Sequence, residues 1–258
     1  MIPYFSWVTI AIGPIHLYVW GLFAALGVGL GTWVAVRQAR RAGLNGGVMA
    51  DIVLWVIVGA FMMARLVHIF AYAPEVYLAD PLKMLRVWEG GLSSFGGFLG
   101  GMVAAFGYMK WKGLSFLPYA ECVAYALPLG YGCGRIGCFL IHDHPGTLSQ
   151  SFLAVQFPDG ARLDHGLLLA IFSFAMFVGF LLWRKFRGLG GSDVVFLPTF
   201  LVVYGVMRFV LDFFRASDLV GSDVRYWLFT PAQYGCVVFV FLGVGIYIFM
   251  RNRQRRIE

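Results

Sequence analysis

Seven long apolar runs joined by short polar connections constrain the fold of this chain more than any other feature. Each run approaches the ~20 apolar residues that a helix needs to cross a bilayer. Hydrophobic residues make up 60% of the chain and charged residues only 13%, against ~25% charged in a soluble domain. We therefore predict an all-α, polytopic membrane protein with about seven transmembrane helices. The runs are Leu17–Val36, Ile52–Tyr72, Leu92–Met109, Tyr119–Leu140, Gly166–Trp183, Val194–Phe213 and Pro231–Met250.

Basic residues are concentrated in every second connection between the apolar runs. This alternation predicts the orientation of the chain in the membrane. Cytoplasmic loops carry an excess of lysine and arginine, so we expect the N-terminus outside and the C-terminus in the cytoplasm. The net charge of +7 then reflects topology, and nucleic acid is not expected as a partner. Twelve basic residues follow runs one, three, five and seven: Arg37, Arg40, Arg41, Lys110, Lys112, Arg184, Lys185, Arg187, Arg251, Arg253, Arg255 and Arg256. The opposite side is mixed: Glu75, Asp80, Lys83, Arg86, Asp159, Arg162, Asp164, Asp218, Asp223 and Arg225.

Two segments on the outer side are longer than simple turns. Residues 73–91 (APEVYLADPLKMLRVWEGG) mix aromatic, aliphatic and basic side chains, and they predict an amphipathic arm helix in the membrane interface. Residues 142–165 place turn residues around a short β-like run from Phe152 to Phe157, and they predict a small outer cap. We expect one integral membrane domain, residues 1–258, that includes both segments.

Charged residues inside the apolar runs are the main candidates for function. These are Arg65, Arg135 and, one helical turn apart, Arg208 and Asp212, with Arg215 a turn further on. A charge at bilayer depth costs about 3 kcal/mol or more, so it usually faces a cavity or a partner. Guanidinium groups suit phosphate, and the arginines therefore predict a site for an anionic lipid headgroup. Interhelical ion pairing, such as Arg208 with Asp212, is the alternative.

Two glycine clusters flank these arginines. The spacing of Gly96 with Gly100, and of Gly97 with Gly101, is the small-xxx-small pattern of close helix packing. Residues 130–137 contain a GxGxxG pattern, but no strand–turn–helix context surrounds it. We therefore expect close backbone approach to a ligand or a neighbouring helix there, and not dinucleotide binding.

A polar cluster follows the second glycine cluster. Cys138, His142, Asp143 and His144 precede the turn at 145–146. Such residue types can bind a metal, but their spacing is not a strong zinc pattern. We favour a hydrogen-bonded cluster at the membrane surface, with neither metal nor cofactor. His142 or His144 is a candidate general base because imidazole titrates near neutral pH. A cysteine in an apolar helix such as Cys138 is more often inert than reactive.

Ordered motifs along nearly the whole chain resemble the bacterial prolipoprotein diacylglyceryl transferases. They are Ile12-Gly13-Pro14, Asp80-Pro81, residues 86–93 (RVWEGGLS), Gly96-Gly97, residues 134–139 (GRIGCF), residues 204–215 (YGVMRFVLDFFR) and Gln233. The resemblance implies transfer of the diacylglyceryl group of phosphatidylglycerol to the lipobox cysteine of a prolipoprotein, with release of glycerol 1-phosphate. It also implies a bacterial inner-membrane location, with phosphatidylglycerol and a prolipoprotein signal peptide as partners.

The resemblance extends to the site residues. It implies phosphate-binding roles for Arg135 and Arg208, with Asp212 and Arg215 in support. We expect these two arginines and the His142-Asp143-His144 segment to be catalytic. The expected substrate-binding residues are Arg65, Asp212, Arg215, Cys138, Ser93 and Gln233.

The chain also departs from the family pattern. Phe95 stands where the family has a histidine thought to act in catalysis, Cys138 and Ile141 replace asparagines, and Trp20 replaces a tyrosine. Asp143 keeps the carboxylate of a glutamate position. In one interpretation, residues 142–144 have taken over proton transfer. In the other, lipoprotein diacylglyceryl transfer is lost, and the chain binds an anionic phospholipid or transfers to a different acceptor.

Overall fold

The computed structural model describes residues 1–13, 15–72, 74–86, 91–187, 194–219 and 227–254. Within these ranges, seven helices of 17 or more residues each overlap one of the predicted apolar runs. They are α1 (Val19–Arg41), α2 (Gly46–Val67), α4 (Ser94–Trp111), α5 (Phe116–Ile141), α6 (His165–Arg187), α7 (Phe196–Asp212) and α8 (Pro231–Gln254).

Among the described residues, four stretches of helix are long and apolar enough to cross a bilayer: Val19–Arg41, Gly46–Phe70, His165–Phe186 and Pro231–Asn252. Many of their large apolar side chains are exposed, and Phe241 is 72% exposed. An apolar surface of this extent needs lipid around it. The prediction of a polytopic, mostly helical membrane protein is confirmed.

Some sequence predictions concern residues outside the described ranges. Residues 87–90 of the predicted arm are among them, as are four of the charged residues used for orientation: Asp223, Arg225, Arg255 and Arg256. Pro14 of the first motif also lies outside. Phe95 lies in α4, but its side chain is not described.

The chain divides into two compact units, Met1–Gln38 with Ala120–Glu258, and Ala39–Tyr119. In the smaller unit, α4 packs closely against α2. A Cβ atom on Gly100 would lie 2.2 Å from the carbonyl oxygen of Gly59, and one on Gly96 would lie 2.6 Å from that of Met63. The predicted packing role of this glycine cluster is therefore confirmed.

The described part of the arm is not one continuous helix. It consists of a six-residue helix, α3 (Pro74–Ala79), and a 3-10 turn over Pro81–Met84. Asp80 separates them with a non-helical backbone conformation, φ −139° and ψ 87°. The residue before a proline is driven out of the helical region by the proline ring, so Pro81 ends α3. The prediction of a single amphipathic helix missed this break.

The larger unit begins with a hairpin that the sequence analysis did not anticipate. β1 (Thr9–Ile12) pairs with β2 (Ile15–Tyr18), and Gly13 between them has a φ of 60°, which glycine adopts without steric cost. Leu17 therefore belongs to a strand, and α1 begins at Val19 instead of at the predicted Leu17.

Three short strands follow α5 in the region predicted as a cap. They are β3 (Pro145–Leu148), β4 (Val155–Phe157) and β5 (Gly160–Asp164), in the order β3-β5-β4. Only the second half of the predicted β-like run, residues 155–157, forms a strand, β4. The Arg162 guanidinium donates to both carboxylate oxygens of Asp218, at 3.1 and 2.6 Å. This pair ties the sheet to the segment that follows α7.

The second glycine cluster lies wholly inside α5 and lets that helix approach α1. A Cβ atom on Gly27 would lie 2.4 Å from the carbonyl oxygen of Gly130, and one on Gly137 would lie 3.1 Å from the Cα atom of Trp20. The expectation of close approach to a neighbouring helix is confirmed, and the GxGxxG pattern has no strand–turn–helix context.

A buried carboxylate in α5 determines where α7 begins. Glu121 accepts hydrogen bonds from the backbone N–H groups of Val195 and Leu197, each at 2.7 Å, and from that of Phe196. These are N–H groups that a helix start leaves without intrahelical partners. Glu121 therefore fixes α7 against α5, the two helices that carry the main site residues.

Candidate functional site

Two Tyr-x-x-x-Arg pairs, one on α5 and one on α7, form the centre of the candidate site. The guanidinium carbon of Arg135 lies 4.8 Å from the ring centroid of Tyr131. Tyr204 and Arg208 have the same spacing on α7, and the Tyr204 hydroxyl donates to the Tyr131 hydroxyl at 2.9 Å. Both arginines are close enough to Tyr204 to act on it electrostatically. The structure thus brings together Arg135 and Arg208, the two arginines predicted to bind phosphate.

Asp212 is fully buried and faces two guanidinium groups. Its Oδ1 atom is 3.3 Å from Nη2 of Arg208 and 4.0 Å from Nη1 of Arg215. Its Oδ2 atom accepts a hydrogen bond from the Thr230 hydroxyl. The ion pair that the sequence offered as an alternative is therefore present. One carboxylate oxygen cannot use all five N–H donors of Arg208, so the pair of Arg208 with Asp212 is compatible with phosphate binding by Arg208.

Gln233, predicted to bind substrate, forms a capping box at the start of α8. Its Oε1 atom accepts from the Thr230 backbone N–H at 2.9 Å, and the Thr230 hydroxyl oxygen lies 3.2 Å from the Gln233 backbone N–H. Its Nε2 atom donates to the carbonyl of Phe209 at 3.2 Å. Residues 230–233 spell this signature, Thr-Pro-x-Gln, so the sequence contained the signal. Gln233 therefore holds α8 against α7 near Asp212.

The polar cluster after α5 forms because the chain reverses at His142. This residue has a φ of 52°, the left-handed conformation that commonly ends a helix. Asp143 and His144 then return towards the last turns of α5. The potential ligand atoms of Cys138, Asp143 and His144 lie within 4.8 Å of one another. The Cys138 sulfur is 3.8 Å from Nη1 of Arg135, so the cluster adjoins the Tyr–Arg pairs.

His144 is partly buried beside this cluster. Its Nδ1 atom lies 2.7 Å from the carbonyl oxygen of Asp143. Burial lowers the pKa of His144 below its ordinary value, the Asp143 carboxylate and carbonyl oppose this, and the positive charges of Arg135 and Arg215 add to it. The imidazole is therefore neutral at neutral pH, and it lies within electrostatic reach of two arginines.

His142 does not join its two neighbours. Its Nδ1 atom lies 2.7 Å from Oδ2 of Asp164, and its side chain is only 1% exposed. The Oδ1 atom of Asp164 accepts from the backbone N–H of Leu167 and so caps α6. The structure therefore separates His142 from the Asp143–His144 pair, although the sequence grouped all three. Four aromatic rings surround the imidazole: Tyr4, Phe5, Phe139 and Phe157.

Arg65 lies in the smaller unit, where its guanidinium binds the arm. It donates to the backbone carbonyls of Met84 at 3.2 Å and Gly91 at 3.0 Å, and also to those of Lys83 and Arg86. These contacts give the buried charge a structural role. The structure does not relate Arg65 to the arginines of the larger unit.

Ser93 has a local role in the same unit. Its hydroxyl oxygen accepts from the backbone N–H of Gly96 at 3.2 Å and so caps α4. Its own backbone N–H donates to the carbonyl of Ala64 at 3.0 Å. Ser93 therefore fixes the start of α4 beside α2.

Sequence reasoning missed Tyr131, Thr230 and His165 as parts of the site. His165 is fully buried at the start of α6, and it interacts electrostatically with Arg208, Arg215 and Asp212. The repeated Tyr-x-x-x-Arg spacing was a usable signal for Tyr131. His165 and the Tyr–Tyr hydrogen bond are long-range contacts that no local pattern encodes.

The fold and the site define an integral membrane protein in which buried arginines adjoin a cysteine–aspartate–histidine cluster. The family model described as prolipoprotein diacylglyceryl transferase matches residues 7–249. Three relatives described as phosphatidylglycerol–prolipoprotein diacylglyceryl transferase are similar over 98% of this chain. The protein from Ectopseudomonas mendocina is 33% identical over 98% of its own length, that from Pseudomonas paraeruginosa 32% over 96%, and that from Pseudomonas putida 32% over 98%. The chain belongs to the prolipoprotein diacylglyceryl transferase family.

Proposed function

We propose that this protein transfers the diacylglyceryl group of phosphatidylglycerol to the lipobox cysteine thiol of a prolipoprotein. The observation that carries the proposal is the presence of Arg135 and Arg208 on two helices whose tyrosines are hydrogen bonded to each other. Family membership supports it independently. No observation favours loss of this activity over its retention.

Arg135 and Arg208 bind the phosphodiester of the lipid in this proposal. When the bond between carbon and oxygen breaks, the leaving glycerol 1-phosphate gains a second negative charge. Preorganised guanidinium groups stabilise that charge more strongly than the charge of the starting diester. The Asp212 carboxylate lies beside the guanidinium groups of Arg208 and Arg215 and holds them in position.

The acceptor thiol must lose its proton before its sulfur attacks the diacylglyceryl carbon. We assign this step to Asp143 and His144, because they lie beside Cys138 and Arg135. A neutral imidazole can accept a proton directly. His142 supports the step through its contact with Asp164, which holds the chain reversal in place.

The proposed topology has seven spans in the bacterial inner membrane, with the N-terminus outside and the C-terminus in the cytoplasm. The twelve basic residues in the connections after the odd-numbered runs support this orientation. The arm and the three-stranded sheet then lie on the outer side. The same orientation places the start of α8, where Thr230 contacts Asp212, at the outer end of its span.

A transfer assay tests the function directly. The purified protein in lipid vesicles should transfer diacylglyceryl from phosphatidylglycerol to a lipobox peptide, and it should complement a bacterium depleted of its own transferase. Arg135→Lys and Arg208→Lys should each reduce transfer by about 10²-fold, because a lysine cannot reproduce the planar fork. Failure of both assays by a folded, membrane-inserted protein would overturn the proposal.

Arg184→Lys is the matched control for these substitutions. Arg184 is also partly buried, and it also lies over a tyrosine ring, with its guanidinium carbon 5.4 Å from the Tyr125 centroid. Arg184 belongs to α6 and lies outside the candidate site, so the Arg184→Lys variant should retain transfer.

Alanine substitutions of His144 and His142 test the assignment of the proton-transfer step. His144→Ala should lose activity. If His144→Ala and His142→Ala both keep full activity, the assignment of that step is wrong.

A further inference from the structure

Three potential metal ligands meet at the end of α5. A sulfur, a carboxylate oxygen and an imidazole nitrogen, from Cys138, Asp143 and His144, lie within 4.8 Å of one another. Thiolate, imidazole and carboxylate are the ligands that zinc takes in proteins. The sequence alone disfavoured a metal, because four residues including His142 did not match a zinc spacing. The reversal at His142 removes that residue from the set and brings the other three together.

The geometry needs only a small adjustment to hold an ion. Ligand atoms around one tetrahedral Zn²⁺ lie roughly 3.3–3.6 Å apart, given metal–ligand distances of about 2.0–2.3 Å. Because the ligand atoms lie within 4.8 Å of one another, the longest separation has to close by at most about 1.5 Å. Side-chain rotation can supply this, since the side chains of His144 and Asp143 are 30% and 33% exposed. Their exposure also gives an ion a path to the buried Cys138.

A backbone carbonyl beside His144 supports binding of a cation, whereas the positive charges of Arg135 and Arg215, which act on the same imidazole, oppose it. The Nδ1 atom of His144 lies 2.7 Å from the carbonyl oxygen of Asp143. Metal-bound histidines commonly donate one ring N–H to such a carbonyl, which leaves the other nitrogen for the metal. The negative charges of a Cys138 thiolate and the Asp143 carboxylate balance the two positive charges of the ion.

We propose that Cys138, Asp143 and His144 bind one Zn²⁺ ion, and that the acceptor cysteine binds as a thiolate at the open fourth position. The first part of this proposal stands alone, and the second rests on the proposed function. A thiol that coordinates Zn²⁺ is deprotonated outright, so in the metal-bound protein this coordination replaces the direct transfer of the thiol proton to His144. Three protein ligands with one open position are typical of catalytic zinc sites.

The chemical step balances with the metal unchanged. The acceptor thiol releases its proton to solvent when its sulfur coordinates the ion. The sulfur electron pair then forms the bond to the diacylglyceryl carbon, and the bond from that carbon to the phosphate oxygen breaks. The leaving glycerol 1-phosphate takes that electron pair and its extra negative charge. Nη1 of Arg135 lies 3.8 Å from the Cys138 sulfur, so Arg135 is close enough to the proposed metal site to stabilise that charge.

Cobalt binding tests the metal site. The protein is purified without a histidine tag, and its metal is removed by chelation before Co²⁺ is added. Co²⁺ should bind with one equivalent and produce a thiolate-to-metal absorption band that Zn²⁺ abolishes by competition. Cys138→Ser should lose the band, and Asp143→Asn and His144→Ala should weaken binding by at least about tenfold. Cys133→Ser, a buried cysteine on the same helix, should leave the band unchanged. Absence of the band in the unmodified protein, or its persistence in a folded Cys138→Ser protein, would overturn the proposal.

A second measurement tests the open position and separates this proposal from the proposed function. A lipobox peptide containing cysteine should intensify the thiolate–cobalt band, and the same peptide with serine should not. Transfer should fall at least about tenfold in the stripped protein and return with Zn²⁺. Equal transfer with and without metal contradicts the zinc role and leaves His144 as the direct base. Intact peptide-dependent bands without any transfer support the metal site and contradict the proposed function.

Discussion

The hydroxyl of Tyr204 on α7 donates a hydrogen bond to the hydroxyl of Tyr131 on α5, at 2.9 Å, and the two rings meet edge to face. The residues are 73 positions apart in the chain. Each precedes an arginine of the candidate site by four positions, and so by about one helical turn. This single contact therefore couples the placement of Arg135 to that of Arg208.

Tyr204→Phe should lower transfer without unfolding the protein. The substitution removes one hydroxyl and leaves both rings in place, so Tyr131 still lies beneath Arg135. A buried hydrogen bond contributes about 1 kcal/mol, which corresponds to roughly fivefold in rate if it is expressed in the transition state. Steady-state transfer kinetics measure this. Tyr125→Phe, on α5 beside Arg184, should retain nearly the activity of the unmodified protein, and equal losses in both variants would contradict the coupling.

Arg65→Ala should reduce stability, because the buried guanidinium holds four backbone carbonyls of the arm region. We expect a loss of about 3 kcal/mol, since hydrogen bonds to a charged group are stronger than neutral ones and several are lost together. Thermal unfolding in detergent measures it, and proteolysis reports on the arm. The exposed Arg37, which lies over Trp33, provides the control, and Arg37→Ala should change stability by less than about 0.5 kcal/mol. Equal, small effects would refute a structural role for Arg65.

Gly100→Ala and Gly107→Ala should have opposite effects, although both lie in α4. A methyl group on Gly100 meets the backbone of Gly59 at 2.2 Å, whereas one on Gly107 meets no atom within 4 Å. The first change should destabilise by about 1–3 kcal/mol or more, because α2 and α4 must separate. The second should stabilise by up to about 1 kcal/mol, because alanine is the better helix former. Unfolding measurements on the two proteins that agree in sign would contradict the close packing.

Asp218→Asn should destabilise the protein at neutral pH, and this destabilisation should become smaller at low pH. Hydrogen bonds from Arg162 lower the pKa of the Asp218 carboxyl below its ordinary value of 3.8. A carboxyl with a lowered pKa contributes stability above the unfolded-state value, and that contribution is lost as the pH falls towards the folded-state value. The difference in melting temperature between the unmodified protein and the variant should therefore be largest at neutral pH and should narrow below about pH 4. A difference that is independent of pH would show that the Arg162 pair contributes no proton-linked stability.

Local patterns were sufficient for locating the helices and for selecting the arginines that are candidates for the site. The apolar runs located seven helices because the helix satisfies its own backbone groups and needs only a long apolar surface in lipid. Arg135 and Arg208 could be selected because charge is expensive in such segments. The spacing of Gly96 and Gly100 likewise predicted close helix packing, since small residues one turn apart produce a flat helix surface, and the structure shows that the partner is α2.

The sequence was less informative about features that depend on chain reversals and on long-range contacts. Neither the hairpin before α1 nor the break at Asp80 could be read from hydropathy, because both depend on backbone conformation next to glycine or proline. The roles of Arg65 and Gln233 also depend on partners distant in the chain. An arginine that binds carbonyls and an arginine that binds phosphate look the same in sequence.

The sequence by itself determined that this is a helical membrane protein with a few charged residues inside its apolar segments. The length of an apolar segment and the free-energy cost of placing a charge in it depend on that segment alone. Its relatives and motifs determined the family. Only the tertiary structure decided which charges meet. It joined the two tyrosine–arginine pairs, moved His142 into an aromatic enclosure, and brought Cys138 to Asp143 and His144. His142, whose backbone is in the left-handed conformation at the end of α5, reverses the chain and so brings Cys138 to Asp143 and His144. The direction of such a reversal follows from the packing around it.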